Sequence, residues 1–297
     1  MDAVRFGRVL TAMVTPFDER GDLDLDGAVE LARWLVAHGN DGLVLAGTTG
    51  EAPTLTDDEK VALFAAVRDA VDVPLLAGTG SNDTRHTCGL SERAAATGVD
   101  GLLLVTPYYN RPSQAGIEAH FRTAAGATDL PIVMYDIPGR SGRKISTDVL
   151  LRLANEVATI VGVKDAAGDP GETARLVAGT PDDVSVWSGD DPMTLPLLAV
   201  GAVGVIGTAT HWCGEVMAEM VAAVGQGDLD RAQELNATLF ESYAYESREI
   251  AQFALAIKVA LRCLGLPAGP CRLPLGPEPA GLEAEARAML ERLGALR

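Results

Sequence analysis

No stretch of this chain is apolar for long enough to span a membrane as a helix: charges or glycines cut every apolar run well short of about 18 residues. The opening residues, MDAVRFGRVLTAMVTPFDERGD, lack a basic segment followed by an apolar core and a small-residue cleavage site, so secretion is not expected and a cytoplasmic location is. Cations are scarce as well. The 24 Lys and Arg stand against 41 Asp and Glu, a formal net charge of −17, which argues against nucleic acid or an anionic membrane as partner. The four cysteines (Cys88, Cys213, Cys263, Cys271) show no C-x-x-C spacing and read as reduced thiols. Two H-x-C pairs, HTC at 86–88 and HWC at 211–213, have no further ligand at motif spacing, so no metal is expected, and no other cofactor either.

What the chain does have is regularity. Short, nearly continuous apolar runs recur at VLTAMVTPF (9–17), GLVLAGTT (42–49), VPLLAGTG (73–80), GLLLVTPYY (101–109), PIVMYDIP (131–138), IVGVKDA (160–166), VSVWSGDD (184–191) and VGVIGTAT (203–210). Each is rich in Val, Ile and Leu, as strands buried on both faces must be. Stretches with helical spacing lie between them. LDGAVELARWLVAHG and TDDEKVALFAAVRDAV are amphipathic, and the second opens on Thr56 as N-cap with Glu59 three residues on. A strand–helix alternation repeated eight times predicts a (β/α)8 TIM barrel. An open doubly wound sheet is the alternative, disfavoured by the count of eight and by the missing G-x-G-x-x-G. Past the eighth run only helical patterns remain. The expected organisation is therefore a barrel over residues 1–225 and a C-terminal helical appendage over 226–297, used for packing on the barrel or on a second subunit.

In such a barrel the active site is built from the C-terminal ends of the strands. These ends read GTTGE, TPYYN, YDIPGR, the lysine of VGVKDA, SGDD and GTAT. Lys164 alternates with Val163 and Asp165 and shares its face with Gly162. If that face is the barrel interior, the amine is desolvated, its pKa falls, and neutral amine is available near pH 7 to attack a carbonyl and form a Schiff base. A lysine that merely ends a strand and reaches water is the bland reading, and the neighbours decide. Tyr135 ends the adjacent strand and offers a phenol for proton transfer. GTTGE offers two hydroxyls, Thr48 and Thr49, and backbone N–H groups suited to a carboxylate. Tyr108 and Tyr109, being adjacent, cannot both point inward, so one must face another environment, such as a partner subunit. Arg140 suits a substrate carboxylate at the barrel mouth. The loops after strands seven and eight, SGDDPM and GTATHW, hold no cation, which disfavours a phosphosugar and favours small carboxylic acids.

GTTGE, TPYYNRPSQ, YDIPGRSG, VGVKDA and SGDD, in that order at barrel spacing, together resemble the dihydrodipicolinate synthase family of pyruvate-dependent class I aldolases, which also contains N-acetylneuraminate lyase. The similarity spans nearly the whole chain, including LGLPAGPCRLPL. The resemblance implies that Lys164 forms the Schiff base with pyruvate. It implies that Tyr135 gives and takes protons in a relay with Thr48 and with a Tyr109 contributed by the neighbouring subunit. By the same resemblance Thr49 and Ile206 hold pyruvate, and Arg140 binds the carboxylate of L-aspartate 4-semialdehyde. The family is a homotetramer, a dimer of dimers, serving lysine and diaminopimelate synthesis. GTTGE, where the sialic acid lyases read Gly-Ser-Thr-Gly-Glu, and the presence of Arg140 favour the synthase within the group.

The sequence also departs from the lysine-inhibited members. Of their effector cleft, Asn82 and Tyr108 match, but His86 stands at the glutamate position, and Ala52, Pro53, Asp57 and Lys60 follow GTTGE. A cation at Lys60 and a missing carboxylate predict weak or absent feedback by L-lysine. Two other readings stay open at this stage. One is an aldolase or lyase for another aldehyde or sugar acid. The other is a barrel that only binds 2-oxo acids, against which the joint presence of Lys164, Tyr135, Thr48 and Tyr109 argues.

Overall fold

The structure is a computed structural model and describes residues 4–248, 251 and 253–296; the outer limits of the two expected regions, residues 1 and 297, lie outside them. Eight parallel strands close into a barrel: β1 (Val9–Ala12), β2 (Gly42–Leu45), β3 (Leu75–Gly78), β4 (Gly101–Val105), β5 (Ile132–Asp136), β6 (Ile160–Asp165), β7 (Ser185–Ser188) and β8 (Gly204–Gly207). Closure is made by β8 on β1, with Leu10 beside Ile206. All eight are shorter than the apolar runs that announce them. The tails of those runs, GTT, TPYY and GDD among them, have left the sheet and form the rim of the barrel.

The two faces of each strand are buried differently. Outward-facing residues such as Leu43, Leu75, Leu102 and Val163 pack under the helices. Inward-facing ones, among them Leu10, Val44, Leu76, Leu103 and Val133, fill the barrel. Trp187 is the largest side chain in this interior; it is fully buried, and its indole N–H donates to the carbonyl of Gly7 at 3.0 Å. Burying such a ring contributes roughly 4–6 kcal/mol of transfer free energy. Gly162 makes room for it, since a Cβ there would lie 2.5 Å from the indole. The register of β5 against β6 shifts between Ile132 and Val133, and above that bulge Tyr135 sits directly beside Lys164, which sits beside Trp187.

The helix Asp57–Arg68 carries the expected Thr56–Glu59 capping box. After β8 the helix Thr210–Gly225 continues the outer ring, and three more follow: Leu229–Glu246, Ala254–Cys263 and Leu282–Arg292. These last helices reach back to the rim. Lys258 is fully buried and pairs with the equally buried Glu51, Nζ to Oε1 at 2.6 Å, while the backbone N–H of Arg272 donates to Glu51 Oε2 at 2.9 Å. Glu51 closes the GTTGE turn with φ at +57°, a conformation costly for a side-chain-bearing residue. The ion pair with the C-terminal region holds it there.

Removing one partner of a buried pair leaves an uncompensated charge, at about 3–5 kcal/mol. Lys258→Met should therefore lower the unfolding free energy obtained from urea titration by an amount in that range. A loss below about 1 kcal/mol would show that the pair does not hold the C-terminal region to the rim.

Candidate active site

Lys164 is buried, 5% exposed, on the inner face near the C-terminal end of β6. Its ammonium nitrogen lies 4.3 Å from the centre of the Tyr135 ring. Burial is the largest influence on its pKa and lowers it to about 8; Asp191 opposes the shift, Arg140 adds to it, and Asp190 opposes it. About a tenth of the amine is thus neutral at pH 7. Gly189, just beyond β7, is required for this placement, because a Cβ there would lie 2.8 Å from Lys164 Cγ. Of the two readings of the strand end, the interior amine is the one the barrel adopts.

A cavity of about 210 Å³ opens above the lysine, lined by Thr48, Thr49, Tyr135, Arg140, Lys164 and Asp191, among others. Five strand ends, those of β2, β5, β6, β7 and β8, thus contribute to one space. Tyr135 is buried, and that burial pushes its phenol above the ordinary range, so it stays protonated until a base is presented to it. Thr49 is buried and Thr48 exposed, so the two hydroxyls of the turn face different surroundings. Arg140 lies on the short helix Pro138–Ser141, fixed because Asp136 Oδ1 accepts the N–H of Ile145 and Oδ2 the Lys144 ammonium, both at 3.0 Å. Its guanidinium stacks over the ring of Phe253 at 4.3 Å. Ile206 sits lower, fully buried in the inner barrel cluster, and lines neither this cavity nor the outer one.

A second cavity, about 940 Å³, leads outward and shares Thr48, Tyr135 and Arg140 with the first. Tyr108, Tyr109 and His86 line it; Asn82 does not, its carbonyl accepting instead from the Asn110 side chain at 2.9 Å. Tyr108 and Tyr109 both line this outer cavity, Tyr108 half-buried and Tyr109 exposed. Tyr109 is 89% exposed with φ at +71°, and its N–H donates to the carbonyl of Ser141 at 3.2 Å, tying its loop to that of Arg140. His86 Nε2 is 2.9 Å from Asp57, and Lys60 Nζ is 3.8 Å from the same carboxylate. The walls of the outer cavity therefore already hold a mutually compensating cluster of one anion, one cation and an imidazole.

Several residues of the inner cavity were not singled out in the sequence. Asp191 and Thr208 belong to SGDD and GTAT, visible as strand ends but without assigned roles. Glu246 and Phe253 come from the C-terminal helices, where spacing carries no signal of a site. His211 of HWC is not free to ligate: its Nε2 accepts the N–H of Val14 at 3.2 Å and its Nδ1–H donates to the carbonyl of Thr208 at 2.7 Å.

The chain is similar to known proteins over nearly its whole length. A model of the dihydrodipicolinate synthetase family matches residues 5–293. The 4-hydroxy-tetrahydrodipicolinate synthase of Acidothermus cellulolyticus is 54% identical over 91% of this chain and 87% of its own length. That of Moorella thermoacetica is 51% identical over 92% and 93%. Among solved structures, a dihydrodipicolinate synthase of Bacillus anthracis superposes with a TM-score of 0.93 at 42% identity, covering 97% of this chain and 99% of its own. The enzyme of Cyanidioschyzon merolae, solved with lysine bound, gives 0.94 at 38% identity, covering 99% and 100%.

The burial of Lys164 generates a measurable expectation. Its modification by a small amine reagent, followed by peptide mass, should rise with a midpoint near pH 8. A midpoint at the ordinary lysine value of about 10.4 would mean that the amine is solvated.

Proposed function

The chain belongs to the dihydrodipicolinate synthetase family, and we propose that it is a 4-hydroxy-tetrahydrodipicolinate synthase that condenses pyruvate with L-aspartate 4-semialdehyde through a Schiff base on Lys164. The observation that carries the mechanism is the buried amine of Lys164, with a pKa of about 8, beside the Tyr135 phenol in a cavity of about 210 Å³. The neutral amine attacks the ketone carbon of pyruvate, and loss of water leaves an iminium. Loss of a methyl proton turns the iminium into an enamine, whose carbon attacks the aldehyde. The amine of the adduct then closes on the former ketone carbon and expels the lysine.

Tyr135 carries protons to and from the carbinolamine, with Thr48 as the relay toward the outer cavity that both residues line. Thr49 receives the carboxylate of pyruvate, and Ile206 bounds the barrel floor beneath it. Arg140, at the mouth and shared by both cavities, receives the carboxylate of the semialdehyde. That guanidinium favours an amino-acid aldehyde over a neutral sugar chain as acceptor. Tyr109, a large aromatic exposed at the rim, supports a homotetramer in which it completes the relay of the neighbouring subunit. Residues 1–225 are the catalytic barrel and 226–297 the helical region. A place in lysine and diaminopimelate synthesis, in the cytoplasm, follows from the reaction; among the described residues no helix is long and apolar enough to cross a membrane.

Pyruvate consumption should require the semialdehyde and should vanish in Lys164→Ala. Arg140→Ala should lower kcat/KM for the semialdehyde at least a hundredfold, about 2.7 kcal/mol, while pyruvate is still trapped on Lys164 by borohydride. Trapping without turnover in the unaltered protein would mean that the acceptor is another aldehyde. In the outer cavity the Asp57 carboxylate is already held by Lys60 and His86 and is not free for a further ammonium group, so millimolar L-lysine should leave the rate unchanged. A micromolar dissociation constant for L-lysine by calorimetry would overturn that expectation.

A further inference from the structure

One buried carboxyl group in the Lys164 cavity has no part in the reaction as described. Glu246 is the last residue of the helix Leu229–Glu246, is 2% exposed, and lines the cavity. Its Oε2 lies 2.8 Å from Thr208 Oγ1, and that same oxygen lies 2.6 Å from Asp191 Oδ2. A threonine hydroxyl carries one proton. It can donate to one of these carboxyl groups; the other contact is a hydrogen bond only if that carboxyl group carries a proton of its own. The three side chains therefore hold one proton more than two carboxylates and a hydroxyl would.

The backbone decides where that proton rests. Asp191 Oδ2 also accepts the N–H groups of Thr208 at 2.8 Å and Ala209 at 3.1 Å, at the N-terminal end of the helix Thr210–Gly225. Unpaired N–H groups and the positive end of a helix dipole favour an anion there. Glu246 sits at the opposite kind of terminus, where the carbonyls of its own last turn disfavour negative charge. It has no ion-pair partner among the described residues. The thermodynamic tendency agrees: burial, and then Asp191, raise the pKa of Glu246 well above its ordinary value.

We propose that Glu246 is a neutral carboxylic acid that donates to Thr208, which donates to Asp191, and that it is a positioning residue keeping Asp191 as the one ionised carboxylate of that pair at the Lys164 cavity. The consequence is chemical. Asp191 and Asp190 already oppose the loss of the proton from Lys164; a further ionised carboxylate in the same cavity would hold more of the amine as ammonium, whereas a neutral Glu246 leaves a usable share of nucleophile at neutral pH. The other groups around the chain do not supply the balance. His211, which feels the charge of Asp191, is kept neutral by burial, which lowers its pKa to about 4. Cys213 is pushed up to about 12 by burial, and Tyr243 is raised for the same reason, so both are neutral. Asp190 and Arg140 face Lys164 with opposite signs.

The inference rests on Lys164 being the Schiff-base residue, and the experiment separates the two. Infrared difference spectra of the full-length protein against Glu246→Gln at neutral pH should show one buried protonated carboxylic acid lost in the variant. Thr208→Val, which removes the hydroxyl, should shift that band without abolishing it. In parallel, the pH dependence of borohydride trapping of pyruvate is followed. Glu246→Gln supplies the same neutral donor and should leave the midpoint in place. Asp191→Asn should lower it by about one to two units. A midpoint lowered by a unit or more in Glu246→Gln, or a spectrum with no carboxylic acid band to lose, overturns the proposal. If unaltered protein traps no pyruvate on Lys164, the Schiff-base reading fails, while the infrared band still decides the state of Glu246.

Discussion

An amine removed from water inside a closed barrel is the constraint on which the rest of this site depends. Burying an ammonium ion is expensive, and a protein can meet that cost by pairing the charge fully or by letting part of the population lose its proton. Here the second course is taken in part. Asp191 and Asp190 offset some of the desolvation, Arg140 adds to it, and the balance leaves Lys164 titrating near pH 8. The packing beneath is organised to permit this. Trp187 fills the barrel beside the lysine, Gly162 admits the indole, and Gly189 leaves space for the lysine stem. Replacing either glycine by a bulkier residue would disturb the seat of the amine, and with it the pKa.

The C-terminal helices are as much a part of the site as the barrel is. Their Lys258 neutralises Glu51 at the end of the threonine turn. Their Phe253 ring supports the guanidinium of Arg140, and its own φ of +51° shows a backbone held in an unfavourable region to do so. Their Glu246 reaches Asp191 through Thr208. The helix that ends at Glu246 and the helix that begins beyond Ala209 bring dipole ends of opposite sign to the two sides of that hydroxyl. A proton shared along the chain is thus located by the ends of two helices and not by the chemical identity of its two acids.

Much of this could be read along the chain. Eight apolar runs with helices between them specify a closed barrel because a strand covered on both faces shows no polar alternation, and the count leaves few other closures. Lys164 and Tyr135 were recognisable as chemistry because each interrupts such a run at its C-terminal end. The lengths of the strands were less legible. The runs continue apolar into GTT and TPYY, and only the loss of ladder hydrogen bonds shows that the chain has already turned onto the rim. Ile206 illustrates the same limit in reverse: its place on β8 is evident, but its depth in the barrel, below both cavities, is not.

By itself the sequence determined the strand count, the helical tail, the residues with reactive side chains and the sign of the overall charge. Each of these is a property of neighbours along the chain, written in periodicity or composition. Only the tertiary structure decided that Lys164 is desolvated, that Tyr108 is half-buried and Tyr109 exposed, and that Glu51 and Glu246 are buried beside such different partners. Those outcomes depend on distances between segments far apart in the chain, Lys258 to Glu51 and Glu246 to Thr208 among them. The electrostatic state of a carboxyl group or an amine is set by what surrounds it in space, and no local pattern records that.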